Sequence, residues 1–229
     1  MPEKRSVLFE NCAWNVKYTN VNDWVSYAFV EENETLYIYF QGSCETRDWI
    51  ANFLFPAKPY KDMGIPYRVH RGFLAAWKEV EDIIIEKITE RKPYGAWDYK
   101  YRKIVVIGYS HGGALAGFCH ECVWFHRPDL RDGGLSGYGF EAPRFYAGLW
   151  VKPKLQERWK TFEVIRTNND IVTHAPPAIF GYCHVGTIHK VSGDVKLVDN
   201  KLPKCVKSHY PQVVLDALLR EENQGGETK

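Results

Sequence analysis

The sequence predicts an α/β protein with a central, mostly parallel sheet flanked by helices and an antiparallel hairpin at its start. Three observations lead there. Short strand-like segments alternate with helix-length apolar patterns through the second half of the chain, the order that builds a parallel sheet. Ile104 to Ile107 is apolar without alternation, as expected of a strand covered on both faces. Near the N-terminus, two alternating runs flank a polar break, which reads as a hairpin.

The elements follow in order. Val25, Tyr27 and Phe29 alternate with Ser26 and Ala28; Glu31, Glu32, Asn33 and Glu34 interrupt the pattern before Leu36 to Phe40 resumes it, and Gly42 and Ser43 end that strand. From Phe73 to Arg91, Leu74, Trp77, Ile84 and Ile88 recur with acids between them, the spacing of one amphipathic helix. The Ile104 to Ile107 strand then leads into an apolar helix over Gly112 to Phe125. Leu135 to Glu141 and Phe162 to Thr167 are further strands, separated by a helical or irregular stretch containing Leu155 and Trp159. A last helix begins at Pro211. No repeat or low-complexity linker divides the chain, so residues 1–220 read as one domain and the polar residues 221–229 as a disordered tail.

Composition removes several function classes. With 45% hydrophobic and 25% charged residues, the 229-residue chain is neither disordered, collagen-like nor a coiled coil. Its 30 basic and 28 acidic residues leave a net charge of +2, so no general field draws it to nucleic acid or to an anionic membrane. No apolar run approaches the roughly 20 residues that span a bilayer, which argues against an integral membrane segment. Met1 to Asn11 lacks a signal-like apolar stretch, and six cysteines are too sparse for a disulfide scaffold. These features predict an intracellular protein with reduced thiols.

The chemistry concentrates at Gly108-Tyr109-Ser110-His111-Gly112. Gly-x-Ser-x-Gly between a buried strand and an apolar helix is the pattern of a sharp turn that holds a serine hydroxyl above the sheet in a strained conformation. Composition alone gives about 0.04 such matches in a chain of this length. A Gly-rich turn of this kind also cradles phosphates, but the glycines and Lys of a phosphate loop are missing.

A serine hydroxyl needs a histidine base, and the histidine needs a carboxylate. With a strand–turn–helix nucleophile, the chain order is serine, acid, histidine. Asp170, just past the strand ending at Thr167, falls at the sheet edge where that acid belongs. Asp129, Asp132, Asp194 and Asp199 lie in loop-like contexts that suit solvated charges. Three histidines follow at useful distance: His184, His189 and His209. His209 precedes the terminal helix, and His184 is its rival on spacing alone.

These segments resemble the class 3 lipases, the fungal-type triacylglycerol lipases of the α/β-hydrolase fold. Gly108 to Leu115 looks like that family's nucleophile elbow, and Val69 to Leu74 like its segment before the first long helix. Phe140-Glu141-Ala142-Pro143-Arg144 is similar to its strand after the nucleophile helix; Asn169 to Val172 with Pro176 and Pro177 resembles its acid loop. The resemblance implies an ester hydrolase with Ser110, Asp170 and His209 as catalytic residues, and it selects His209 over His184. Gln41-Gly42-Ser43 resembles the oxyanion loop, implying that Ser43, with the backbone N–H of His111, holds the oxyanion.

Cys44 to Phe55 resembles the family's lid helix, with Trp49, Ile50, Phe53 and Leu54 on one face. The stretch is either a lid that meets a lipid interface or a helix packed on the core. The chain also departs from the family: His111 stands where Leu is common, Thr173 replaces a Pro, and the interval from Asp170 to His209 is short.

No cofactor or metal is expected. Cys119, Cys122 and His126 share a helical face, but structural zinc draws ligands from turns and a second element, whereas cysteines on such a helix behave as small apolar residues. The expected activity is hydrolysis of acyl lipids or related small esters through an acyl-enzyme. Acyl transfer to an alcohol on the same residues, or binding without turnover, are the alternatives.

Overall fold

The computed structural model describes residues 3–42, 56–93 and 98–226. In chain order these form helix α1 (Arg5–Glu10), continued by a wide π-helical turn over Asn11–Asn15, then strands β1 (Thr19–Asn20), β2 (Ser26–Glu32), β3 (Thr35–Phe40), β4 (Ala57–Tyr60) and β5 (Tyr67–His70). Helices α2 (Arg71–Lys78) and α3 (Glu81–Ile88) follow, then β6 (Lys103–Tyr109), α4 (His111–His126), β7 (Leu135–Phe140) and β8 (Tyr146–Ala147). The chain continues through α5 (Pro153–Gln156), β9 (Phe162–Thr167), β10 (Tyr182–Cys183), β11 (Thr187–Val191), α6 (Lys204–Lys207) and α7 (Pro211–Gly226).

Seven strands make one sheet in the order β1-β2-β3-β6-β7-β9-β11. β1, β2 and β3 pair antiparallel, and from β3 onward every pairing is parallel. The expected hairpin turns at Asn33, which takes a left-handed backbone (φ 55°). Period-two alternation then divides the core between the two faces of the sheet. On β3, Leu36, Ile38 and Phe40 point to the side covered by α2, α3 and α4, while Tyr37 and Tyr39 face α1 and α7. On β6, Ile104 and Val106 take the first side, Val105 and Ile107 the second. This two-sided cover explains the unbroken apolar run on β6, and α4, buried from Gly112 to Val123, has no polar face for the same reason.

A second sheet of four short antiparallel strands, β10-β8-β5-β4, packs beside the first. β8 and β10 have two residues each, too few to leave a periodic trace. The expected single helix over Phe73 to Arg91 is two helices, broken at Val80 (φ −124°, ψ −10°). Trp77 and Glu81 grip across the break, the indole N–H donating to Glu81 Oε1 at 3.0 Å. Apolar spacing runs through the break in phase, so periodicity does not reveal it.

The disordered tail expected from Glu221 is corrected in part: α7 runs on to Gly226. Glu222 fastens it by accepting from the backbone N–H and the hydroxyl of Ser6, at 3.0 and 2.7 Å. Among the described residues no helix is long and apolar enough to cross a membrane.

One charge pair lies deep in the core. Glu121 on α4 accepts from the Arg158 guanidinium and from the Tyr67 hydroxyl, with Glu121 fully buried and Arg158 3% exposed. Removing one partner strands the other in a low-dielectric interior. Glu121→Ala is therefore expected to lose about 3–5 kcal/mol of unfolding free energy, read from urea denaturation. A loss under about 1 kcal/mol would contradict this account of the pair.

Candidate active site

β6 ends at Tyr109 and α4 begins at His111, leaving Ser110 alone to turn the chain. Ser110 takes φ 57°, ψ −125°, a left-handed conformation that a non-glycine residue holds only under constraint. The constraint is visible on both sides. A Cβ on Gly108 would lie 2.0 Å from the carbonyl oxygen of Gly112, and one on Gly112 would lie 2.3 Å from that of Phe40. Strand and helix approach this closely only because both positions are glycine, and Ser110 N–H donates to Phe140 O at 2.9 Å to lock the turn.

The Ser110 hydroxyl is 2.8 Å from His209 Nε2, and His209 Nδ1–H donates to Asp170 Oδ2 at 2.6 Å. That second bond fixes the tautomer, so Nε2 is left to accept from the hydroxyl. Asp170 is fully buried, Ser110 2% exposed and His209 5%. Asp170 Oδ1 accepts from the Val172 N–H at 2.9 Å, so both carboxylate oxygens are engaged. Burial acts to raise the Asp170 carboxyl, but the His209 ring and the surrounding hydrogen bonds outweigh it and hold Asp170 below its ordinary range. The imidazole stacks on the Tyr109 ring (centroids 5.3 Å apart, planes 20° apart), and the Tyr109 hydroxyl donates to the His209 carbonyl. Thr167 at the end of β9 donates to the Ser208 carbonyl at 3.2 Å, tying the histidine loop to the sheet.

The three residues expected from sequence thus converge. His111 is the first residue of α4, where backbone N–H groups have no partner within the helix. Its imidazole, against Phe73, is lowered to about 4 by burial and by facing His70. A cavity of about 310 Å³ opens beside Ser110 and His209, with Gln41, Gly42, Tyr109 and Tyr210 in its walls and Cys12 of the π-turn opposite. Ser43 and the lid candidates Trp49, Ile50, Phe53 and Leu54 lie outside the described residues.

Three of the rivals have other partners. His184 Nε2–H donates to the Thr173 carbonyl at 2.9 Å, and burial lowers its pKa to about 3. Asp129 pairs with Arg127 at 2.7 Å, and Asp194 accepts from the Lys196 N–H at 2.9 Å. Of the zinc-like set, Cys119 and Cys122 are fully buried core residues and His126, at the end of α4, is half-buried; the neighbouring His120 spends both ring nitrogens on the Arg158 carbonyl and the Thr161 hydroxyl.

Sequence reasoning assigned no role to Glu141, which the fold brings to the site. Glu141, fully buried and left-handed at φ 49°, follows β7 directly. Among the described residues, only Glu141, Asp170 and His209 bring three metal-type ligand atoms within 4.8 Å of one another. Asp170 Oδ2 and His209 Nδ1 already hydrogen-bond each other, which makes this a proton-sharing cluster. Like Asp170 after β9, Glu141 is an acid just past a parallel strand.

A model of the family described as "Lipase (class 3)" matches residues 37–180. The chain is similar to a lipase of Rhizomucor miehei, 32% identical over 163 residues that cover 68% of this chain and 41% of the relative. It is also similar to the "Secreted mono- and diacylglycerol lipase 1" of Fusarium solani, 31% identical with 67% of this chain and 43% of the relative covered. Less than half the length of each relative is spanned. Among solved structures, a triacylglycerol lipase described as having a serine protease triad as its catalytic centre matches with TM-score 0.64 and 26% identity, over 88% of this chain and 78% of that one.

The intracellular expectation is corrected by these relatives, which include a protein named as secreted. That expectation rested on the missing apolar leader in Met1 to Asn11 and on sparse cysteines. Neither absence carries information about the compartment.

Histidine titration followed by NMR tests the burial assigned to the rival. His184 is expected to remain neutral at pH 5, because burial disfavours its charged form. A His184 resonance that titrates near pH 6.5 would contradict the half-buried, hydrogen-bonded placement.

Proposed function

The chain belongs to the class 3 lipase family, and on that footing we propose that it is a serine carboxylic-ester hydrolase acting on acylglycerols or related acyl esters. The observation that carries the proposal is the hydrogen-bonded line from Ser110 Oγ through His209 to Asp170, at 2.8 and 2.6 Å, mounted on a strained turn.

In this proposal Ser110 Oγ attacks the ester carbonyl as its proton passes to His209 Nε2. Asp170 keeps the ring oriented and stabilises the imidazolium. The tetrahedral oxyanion accepts from the His111 N–H and from Ser43, by its N–H and hydroxyl; preorganised donors of this kind are worth roughly 10²–10³ in rate each. Collapse expels the alcohol, which takes the proton back from His209. Water then enters by the same route, with His209 as base, and releases the acid and free Ser110.

The substrate class is supported by the names of the relatives, a mono- and diacylglycerol lipase and a triacylglycerol lipase. For a lipid surface, the proposed contact is the apolar face Trp49, Ile50, Phe53 and Leu54. With a net charge of +2, contact with lipid rests on apolar burial and not on a strong electrostatic field.

Hydrolysis of nitrophenyl esters by single variants tests the assignment. Ser110→Ala and His209→Ala are expected to abolish measurable turnover, Asp170→Asn to lower kcat about 10⁴-fold, and His184→Ala to stay within about threefold of the parent. Full activity in Ser110→Ala would refute the mechanism. Loss in His184→Ala with activity kept in His209→Ala would move the base to His184.

A further inference from the structure

Glu141 presents two anomalies that packing does not explain. It is a non-glycine residue held at φ 49°, and it is an acid with no exposed surface. Strain at a left-handed position and a buried carboxyl each cost free energy, and they coincide on one residue beside Asp170.

Its hydrogen bonding is lopsided. Oε1 accepts from the Thr167 N–H at 2.6 Å, whereas Oε2 is buried with no donor facing it. The group facing it is the Asp170 carboxyl. Two ionised carboxylates cannot occupy that space together, so one of them carries a proton. Asp170 has the His209 ring on one oxygen and the Val172 N–H on the other, both of which favour its anion. Glu141 has only Thr167, by its N–H and its side chain, to favour its anion.

We propose that Glu141 is a neutral carboxylic acid whose Oε2–H donates to Asp170, a positioning residue that extends the hydrogen-bonded line to Ser110, His209, Asp170 and Glu141. The proposal rests on the catalytic reading of Ser110, His209 and Asp170. Burial, and then the adjoining Asp170, push the Glu141 carboxyl well above the ordinary range, in keeping with a retained proton.

The other titratable groups turned toward this pair are His209 ahead of α7 and the buried Tyr109 hydroxyl on β6. The consequence is chemical. By accepting from Glu141, Asp170 is held in one rotamer and shares its charge, so it is a weaker acceptor toward His209. Deleting the donor concentrates that charge on the His209 side, favours the imidazolium and moves the loss of activity on acidification to higher pH.

Two variants separate donor chemistry from shape. Glu141→Gln keeps the left-handed strain, an acceptor for Thr167 and an N–H donor for Asp170. Glu141→Gly relieves the strain and removes the carboxyl. Glu141→Gly is expected to lower kcat about tenfold or more at nearly constant KM and to shift the acid limb of kcat/KM upward. Glu141→Gln is expected to restore kcat to within about threefold of the parent with the parent's acid limb.

A readout independent of activity is infrared spectroscopy at pH 8, where ordinary carboxyls are ionised. The difference spectrum of parent minus Glu141→Gln is expected to contain one protonated-acid carbonyl band. The proposal is overturned if that band is missing, if Glu141→Gln is as slow as Glu141→Gly, or if Glu141→Gly keeps the parent's rate and acid limb. Ser110→Ala measured in parallel keeps the two readings apart. Turnover in that variant would remove the triad itself, whereas a dead Ser110→Ala beside a fully active Glu141→Gly would remove only the role of Glu141.

Discussion

The turn at Ser110 is the constraint on which the site depends. A strand must become a helix within one residue, and the chain manages this by putting that residue at φ 57° and placing glycines two positions before and after it, at Gly108 and Gly112. The close approach of β6, α4 and the end of β3 follows, since any Cβ at Gly108 or Gly112 would overlap backbone atoms. Once the turn is set, the hydroxyl stands at the C-terminal edge of the sheet, and the same edge receives residues from the ends of β7 and β9. Ligand and catalytic sites of open α/β sheets gather at this edge because successive parallel strands deliver their following loops to it.

Burial gives this geometry its electrostatic character. Asp170 and His209 have almost no contact with solvent, so the hydrogen bond between them works in a medium of low effective dielectric, where a misplaced charge is costly. The protein answers by satisfying both oxygens of Asp170, by stacking His209 on Tyr109 and by tying the adjacent backbone to β9 through Thr167. The left-handed Glu141 fits the same logic, because a neutral acid donates a hydrogen bond to Asp170 without adding a second negative charge. Stored strain at Ser110 and at Glu141, on the ends of neighbouring strands, belongs to one site.

What the sequence made legible was local or ordered. The nucleophile turn could be read because strand, glycines, serine and helix are contiguous; Asp170 followed from chain order and from the strand before it, whereas only the family resemblance separated His209 from His184. The two-residue strands β8 and β10 left no trace, since two residues carry no period. The break at Val80 stayed hidden because the apolar repeat runs through it in phase. Glu141 was not legible because the triad pattern calls for a single acid, although its position after β7 matches that of Asp170 after β9. The tail reading failed at Glu222, where a long-range contact with Ser6 turned polar residues into a docked helix.

The central claim is that Ser110 is a nucleophile activated by the folded site and by nothing intrinsic to its own side chain. Labelling the native chain with a fluorophosphonate, followed by peptide mass spectrometry, tests this directly. The account predicts one phosphonyl adduct, on the peptide carrying Ser110, formed in the folded protein and absent after unfolding. Continued ester hydrolysis with Ser110 unmodified, or a stoichiometric adduct on another serine, would contradict it.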